Sequence, residues 1–379
     1  MTVVAPRTER RNLLAHPMSD YYIVLGATLL LLGIGLAMVL SASSVESIRI
    51  FDSAFTLARR QSIFAAIGIV AMIASARIPI TWWRKLATLG IVLAIGFLVV
   101  VLIPGIGVEV AGQRNWIVIV DPFRFQPSEA AKFALILWGA HVISRRVESA
   151  GPWRRMLVPI LPVSALIIIL VALEGDFGNA VIIALISGAL LFVAGVPMRI
   201  FAALTVVMVV GATVLTLMEP YRLERLTSWL NPSADRLGQG YQLTQGLYAF
   251  GTGGLWGVGL GASREKWGSL PEAHTDFIFP IVGEELGLIG TLSVLVLLAA
   301  ICFAAFRICI RGRDQFCRIA AGGVGAWVII QSTVNIGAVL GLLPITGVPL
   351  PLVSYGGSSL VWSLMALGLL LSIARKEAR

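Results

Sequence analysis

The residue of this chain best placed to do chemistry is Asp276. In LPEAHTDFIFPIVGEELGLIG (residues 270–290) four carboxylates (Glu272, Asp276, Glu284 and Glu285) and a histidine, His274, run into an apolar stretch that continues to Phe306. Ionisable groups at a membrane boundary are expensive and mark function by default. A carboxylate there can act as a general base or hold a divalent cation. Asp276 stands where a loop of 58 residues, Glu219–Asp276, returns to an apolar segment, and such a loop is long enough to build a site over an intramembrane cavity. A plain helix cap is the competing reading. Glu284 and Glu285 lie about two turns further on, about 12 Å along a helix, and read as supporting hydrogen-bond partners.

Further candidates sit at the ends of other apolar segments. In QPSEAAK (126–132), Pro127 fits the first turn of a helix and Glu129 its positive end. Lys132 follows at i+3 on the same face, so the pair is a substrate clamp or a local ion pair at a helix start. In GQRNWI (112–117), Arg114 suits a phosphate and Trp116 an interfacial anchor. EGDFGN (174–179) holds two acids, of which Asp176 can cap the next helix. Tyr221–Leu230, with Leu223, Leu226 and Leu230, suits a helix lying in the interface. Gly251–Gly261 has six glycines in eleven residues. Without a following Lys-Ser/Thr or a preceding strand it is no phosphate loop, and it reads as flexible backbone free to approach a large ligand.

The elements that must position these residues are membrane spans. The chain is 58% hydrophobic and 13% charged, with mean hydropathy +0.90, which excludes an ordinary soluble domain. At about 20 apolar residues per span ten segments qualify: 21–41, 61–77, 86–103, 127–144, 156–173, 179–197, 200–218, 286–306, 318–337 and 356–374. The expected fold is therefore an all-α polytopic membrane protein: a basic tail over 1–20, then one domain over 21–379 that includes the long loop. The first span is too long for a signal-peptide core and is read as a retained anchor. Gly337–Gly357 is apolar enough to dip into the bilayer against protein.

With both termini and the loops near 77–85, 145–155, 198–199 and 307–318 in the cytoplasm, that side carries 18 Lys/Arg against 5 Asp/Glu, and the opposite side 10 against 12. The positive-inside rule then puts the long loop, between spans seven and eight, outside. The net charge of +9 follows from this asymmetry and needs no nucleic acid. Cys302, Cys309 and Cys317 lack C-x-x-C spacing and read as small apolar fillers on the reducing side. His16, His141 and His274 are too far apart in sequence to suggest a protein metal site.

GYQLTQGLYAFGTGGLWGVGLGAS (240–263), LPEAHTDFIF (270–279), GEELGLIG (283–290) and LPLVSYGGSS (350–359), with QPSEAAK and EGDFGNA, closely resemble the SEDS family of bacterial cell-wall polymerases. GYQLTQ and PEAHTDF resemble its cell-division branch more than its elongation branch. The resemblance covers nearly the whole chain beyond the basic tail. It implies a ten-span enzyme of the bacterial cytoplasmic membrane, working at the division septum, that polymerises glycan strands from lipid II on the outer face.

The same resemblance makes Asp276 the essential acid, flanked by His274 and Thr275 as substrate contacts. It maps Glu129, Lys132 and Asp176 onto substrate-binding positions and Gln242, Ser354 and Ser358 onto supporting ones. It further implies a single-pass class B penicillin-binding transpeptidase and other division membrane proteins as partners. Gly175, Asn179 and Pro280 depart from the family pattern, which puts local backbone shape in question and not the acids.

The chemistry fits. Lipid II carries an α-linked disaccharide on undecaprenyl pyrophosphate and the product linkage is β-1,4, so direct displacement needs one base and no enzyme nucleophile. Asp276 would take the proton of the acceptor 4-hydroxyl. Arg114, Lys132 or a divalent cation (Mg2+ or Mn2+, with Asp276 as ligand) would stabilise the departing pyrophosphate. A lipid II flippase and a non-catalytic division scaffold are the alternatives. The first should line a polar route across the whole bilayer; the second does not need Asp276.

Overall fold

The computed structural model describes residues 16, 18–110, 112–120, 123–148, 153–217, 229–231 and 238–378. Nearly all of the basic tail and most of Tyr221–Leu230 lie outside the described residues. In chain order the helices are α1 (Ser19–Phe51), α2 (Thr56–Arg77), α3 (Ile80–Val101), α4 (Pro127–Glu148), α5 (Arg154–Leu173), α6 (Phe177–Val193), α7 (Met198–Leu217), α8 (Gln239–Gly253), α9 (Ile278–Arg311), α10 (Gln315–Val339) and α11 (Gly357–Glu377). Each of the ten apolar segments falls on one of them. On α1, Val24, Ala27, Leu31, Met38 and Ala42 form a buried stripe at helical spacing. The opposite face, including Leu29, Leu30 and Leu40, is equally apolar and exposed, as a lipid-facing helix requires.

Among the described residues seven helices are long and apolar enough to cross a membrane, and α6 and the Met198–Gly211 part of α7 are apolar but shorter. Helix α4 falls short by composition because it holds Glu129, Lys132 and His141. Its residues 127–140 are all buried. It is walled by α3, α5, α6, α10 and α11, so protein, and not lipid, solvates it.

Two elements depart from the all-α, loop-only expectation. Residues 104–126 hold a three-stranded antiparallel sheet: β1 (Gly107–Val110), β2 (Gln113–Val120) and β3 (Phe123–Phe125). The β-branched run of β2, WIVIV, favours a strand. Gly112, at φ 77°, makes the turn before it. The second is α8 inside the long loop, whose Gly240, Leu243, Gly246 and Gly253 are buried. Spacings of three to seven between small residues give one face on which α9 packs closely.

Helix α9 is broken at Gly287 (φ 66°, ψ −162°). The break frees the carbonyls of Glu284 and Glu285, and the glycine-rich segment supplies their partners: the Val258 amide donates to Glu284 O at 2.9 Å and the Gly259 amide to Glu285 O at 3.1 Å. In return the Leu288 amide donates to Gly254 O at 2.9 Å. A Cβ on Gly253 would lie 1.9 Å from Gly283 O, and one on Gly257 2.2 Å from Glu285 O. These glycines do serve close backbone approach, but to α9 and not to a free ligand, which corrects the reading of Gly251–Gly261.

The connection from α10 to α11 is buried against protein, with Val348, Leu350, Leu352, Val353 and Ser354 all enclosed. Helix α1 admits it at Gly35, where a Cβ would stand 2.4 Å from Leu352 O and 2.9 Å from Val353 Cα. Backbone atoms cannot yield as a side-chain end does. Gly35→Ala should therefore destabilise the purified protein by about 1–3 kcal/mol, the usual range for overpacking. Gly33→Ala, on the same helix with nothing within 4 Å, should be neutral or stabilising. Thermal unfolding of the two variants in one detergent checks the contrast.

Candidate active site

Asp276 ends a tight turn, 270–277, whose geometry the backbone sets. Glu272 has φ 53°, a left-handed conformation that costs a non-glycine residue energy, and its carbonyl accepts the amides of Thr275 (3.1 Å) and Phe277 (3.2 Å). The N-cap of α9 is Phe277, without a side-chain cap, so Asp276 is not the helix cap. Asp276 is half-buried and lines a narrow crevice with Asn335, Val339 and Thr346. Asn335 Nδ2 donates to the Asp276 carbonyl and to Val348 O, both at 2.8 Å, and Gln242 Nε2 holds Pro271 O at 3.1 Å.

Thr275 Oγ lies 2.6 Å from Glu272 Oε2 and 3.2 Å from Asp276 Oδ1. A hydroxyl has one proton to donate, so the two carboxylates compete for it. The ring of His274 packs 5.4 Å from that of Tyr355, and the Tyr355 amide donates to His274 O at 2.9 Å. Burial pulls the His274 imidazole below its usual pKa, against the pull of Glu272 and Glu46. Burial raises the Tyr355 phenol, opposed by the charges of Arg60 and Arg124. Arg60, on α2, and Arg124, on β3, are thus the cations whose charge reaches the tyrosine beside the Asp276 turn, and the Arg60 guanidinium stands 4.7 Å from the Phe51 ring centre. Sequence reasoning missed both arginines and Tyr355, for they come from separate elements and no local spacing joins them.

The sealed loop behind the turn is stapled by side-chain amides. Gln61 of α2 donates to Ser354 O at 3.1 Å and accepts from the Gly356 amide at 3.2 Å. Gln331 of α10 donates to Pro349 O at 2.9 Å. Ser354 Oγ accepts from the Leu350 amide at 2.8 Å, and Ser358 Oγ from the Gln126 amide at 3.2 Å. Both serines, like Gln242, have supporting contacts.

Glu129 and Lys132 are fully buried and in contact at 2.8 Å. Lys132 Nζ also donates to Asn179 Oδ1 (3.0 Å) and Gln331 Oε1 (2.9 Å) and sits 5.1 Å from the Trp327 ring centre. All three ammonium protons are used within the fold, and the pair braces α4, α6 and α10. Asp176 caps α6 through the Asn179 amide at 3.1 Å and also accepts from Asn115, Gln126 and the Asn179 side chain. It is a buried hub rather than a displayed ligand. Arg114 faces Glu109 across the sheet at 3.7 Å while its amide donates to Glu174 O at 3.0 Å. Its side chain is 39% exposed, and that of Glu109 59%.

Glu284 and Glu285 are fully buried and anchor the long loop. Glu284 accepts from Ser263 Oγ and the Arg264 amide (2.9 Å). Glu285 accepts from Lys266 Nζ (3.1 Å), Ser41 Oγ (2.6 Å) and the Gly261 amide (3.0 Å). Among the described residues no group of three or more His, Cys, Asp or Glu side chains could hold a metal ion. A divalent cation at Asp276 would thus take part of its shell from substrate oxygens, as Mg2+ commonly does.

Two stability outcomes follow from the burial. Lys132→Ala strands a buried carboxylate, so it should cost about 3–5 kcal/mol, not the few tenths of a surface helix pair, as unfolding of the purified variant will read. Glu174 is 2% exposed and neither carboxylate oxygen has a hydrogen-bond partner among the described residues. Burial, and then the neighbouring Asp176, push its pKa up to about 9 from 4.5. Between these values the folded protein holds a proton that the unfolded chain has released, so stability falls as pH rises across that window. Glu174→Gln should raise the melting temperature at pH 8 and flatten its pH dependence.

The family model described as "Cell cycle protein" (FtsW, RodA, SpoVE) matches residues 22–379. The chain is 39% identical over 372 residues to the probable peptidoglycan glycosyltransferase FtsW of Mycobacterium tuberculosis, covering 98% of this chain and 71% of that protein. It is 42% identical over 348 residues to stage V sporulation protein E of Bacillus subtilis, covering 92% and 95%. Its fold matches a chain solved under the description "Structural coordination of polymerization and crosslinking by a peptidoglycan synthase complex", with TM-score 0.76, 27% identity, and 96% and 99% of the two chains covered. It also matches the rod shape determining protein RodA of Thermus thermophilus, with TM-score 0.69, 26% identity, and 97% and 99% covered. A family model spanning all but the first residues, with relatives near 40% identity along almost the whole length, means that this chain belongs to the FtsW/RodA/SpoVE family of cell cycle proteins, the SEDS family.

Proposed function

We propose that this chain is a peptidoglycan glycosyltransferase that polymerises lipid II into β-1,4 glycan strands on the outer face of the bacterial cytoplasmic membrane, at the division septum. The single observation that carries the reading is the placement of Asp276: a half-buried acid on a turn held by backbone hydrogen bonds and by Asn335, beside a tyrosine that feels the charge of two arginines. The names of the relatives, peptidoglycan glycosyltransferase among them, support the same activity. All ten apolar helices span, both termini are cytoplasmic and residues 219–276 lie outside. That arrangement puts Asp276, the sheet and the sealed loop on the outer side, within one transmembrane domain over 21–379.

The acceptor 4-hydroxyl attacks the anomeric carbon of the donor disaccharide. The C–O bond to pyrophosphate breaks as the new glycosidic bond forms, and the configuration inverts. Asp276 takes the hydroxyl proton as attack begins. His274, held neutral, and Thr275 orient the sugars against it. Arg60 and Arg124, in place of Arg114 and Lys132, meet the charge growing on the departing pyrophosphate. Mg2+ or Mn2+, where bound, would add charge at those same oxygens. The undecaprenyl tails lie between spans with the sugars under the long loop. A class B penicillin-binding transpeptidase and other division membrane proteins are the partners that would crosslink and regulate the strand.

Asp276→Asn tests this reading. Asn keeps the size and the hydrogen-bonding shape of the turn and loses only the ability to accept a proton, a contribution of typically 10²–10⁴-fold. Conversion of lipid II to long strands by the purified variant should fall by that order with the melting temperature unchanged. Substantial polymerisation by a stable variant would remove Asp276 as base.

A further inference from the structure

A cavity of about 430 Å³ lies at the opposite end of the bundle from Asp276. It is of the size that holds small ligands, and its charge is one-sided: Arg77, Arg84, Arg375 and Lys376 face a single carboxylate, Asp314. Asp314 is shared, paired with Arg84 and, at 2.7 Å, with Lys376. Arg375 gives one N–H to Ala76 O at 2.9 Å and keeps its others. Arg77, at the last turn of α2, is exposed and has no hydrogen-bond or ion-pair partner among the described residues. The cluster therefore holds more positive charge than it neutralises.

The surroundings say what kind of anion it meets. Helix α3 starts in the cavity wall behind Pro79 with no side-chain cap, so its first amides add donors and positive potential. Next to it Trp82 is exposed, with the Lys85 ammonium 5.4 Å from its ring centre, a pairing typical of the membrane interface. From that level toward the middle of the bundle, α2 exposes Ile73, Val70 and Ile67, and α3 exposes Leu86, Leu89 and Leu93. The two helices share only the Ile78–Pro79 link and then pack on different neighbours, α2 on α11 and α1, α3 on α4 and α5. Four cations thus stand at the depth where apolar, lipid-facing surface gives way to water.

We propose that this cavity binds the phosphate group of an anionic membrane phospholipid, with its acyl chains on the exposed faces of α2 and α3. The assignment to the cytoplasmic leaflet rests on the orientation given above, whereas the binding itself does not. A basic pocket between helix ends is the expected setting for such headgroups. A soluble phosphoanion offers the same chemistry but makes no use of the adjoining apolar surface.

The test uses the full-length protein, stripped of lipid in a neutral detergent and titrated separately with phosphatidylglycerol, phosphatidylcholine and inorganic pyrophosphate. Bound molecules are counted by native mass spectrometry. Phosphatidylglycerol should bind at least about tenfold more tightly than phosphatidylcholine. Arg77→Glu, on an exposed side chain outside the fold's contacts, reverses one charge and should weaken phosphatidylglycerol about tenfold or more, at roughly fivefold per unit charge. Arg375→Gln should weaken it about fivefold, and phosphatidylcholine should be indifferent to both changes. Equal phosphatidylglycerol binding by wild type and both variants would overturn the site. Pyrophosphate binding as tightly as phosphatidylglycerol would overturn the lipid assignment. No lipid II turnover enters the measurement, so its failure and that of the glycosyltransferase reading are separable.

Discussion

A backbone that leaves the helix inside an apolar bundle must find a partner for every amide and carbonyl, because lipid offers none. Two segments here do so at one end of the bundle: the turn that presents Asp276 and the connection between α10 and α11. Their partners are side-chain amides on spanning helices, Gln61, Gln331 and Asn335, helped by Gln242 on α8. An amide suits the task because it donates and accepts without carrying a charge whose burial would cost several kcal/mol. Asn335 also links the segments, since one nitrogen holds Asp276 O and Val348 O together. The position of the carboxylate is thus set from behind, by groups that need never touch a substrate.

The same rule orders the charges. Lys132 is tolerable in a dry core because Glu129, Asn179 and Gln331 use all its protons. Lys266 and Glu285 are tolerable because each completes the other and both hold the long loop on α9. A break at Gly287 would leave two bare carbonyls, yet the glycine-rich segment closes them from outside. That segment therefore carries little freedom of its own. What it fixes is the loop under which the reacting sugars would lie, at the cost that α9 cannot straighten without unpairing it. Glu174, with no partner among the described residues, is the exception and keeps its proton instead.

Spans and acids were legible in the sequence for one reason: in a chain this apolar, each charge stands out and each interruption of apolar residues marks an end. Glu129, Lys132, Asp176 and Asp276 stand out that way, and the family motifs contain all four. Their local roles were less legible. Spacing makes Glu129 and Lys132 an i,i+3 pair, but only the fold brings Gln331, 199 residues away from Lys132, to seal it. Arg114 reads as a phosphate clamp by residue type alone, and only the sheet shows that it stands across from Glu109. The sheet was missed because β1 and β3 have only four and three residues, and the continuous apolar run of β2 does not alternate, so periodicity alone cannot tell it from a buried helix segment. Helix α8 was missed because its buried face, three glycines with Gln242, Leu243 and Ala249, carries too few large apolar residues to show a helical period.

The distribution of polarity along the helices also separates the two functions that share lipid II as ligand. A transporter needs polar side chains along a continuous route between the two ends. Here the network around Lys132 gives way, further along α4, to Leu135, Ile136, Trp138 and Ile143, all buried. On α10 the small residues Gly322 and Gly323 let Val193, Leu190 and Ile136 close in; a Cβ added at either would lie only 2.8–2.9 Å from them. A Cβ on Gly139 of α4 would stand 2.8 Å from the same Leu190. Packing that tight is the least deformable part of a fold, and it stands between the Asp276 end and the basic cavity. To pass a charged disaccharide pyrophosphate through it would require separating α4, α6 and α10 and stripping Lys132 of its partners. A reaction at one face, with the tails left in lipid, asks for neither.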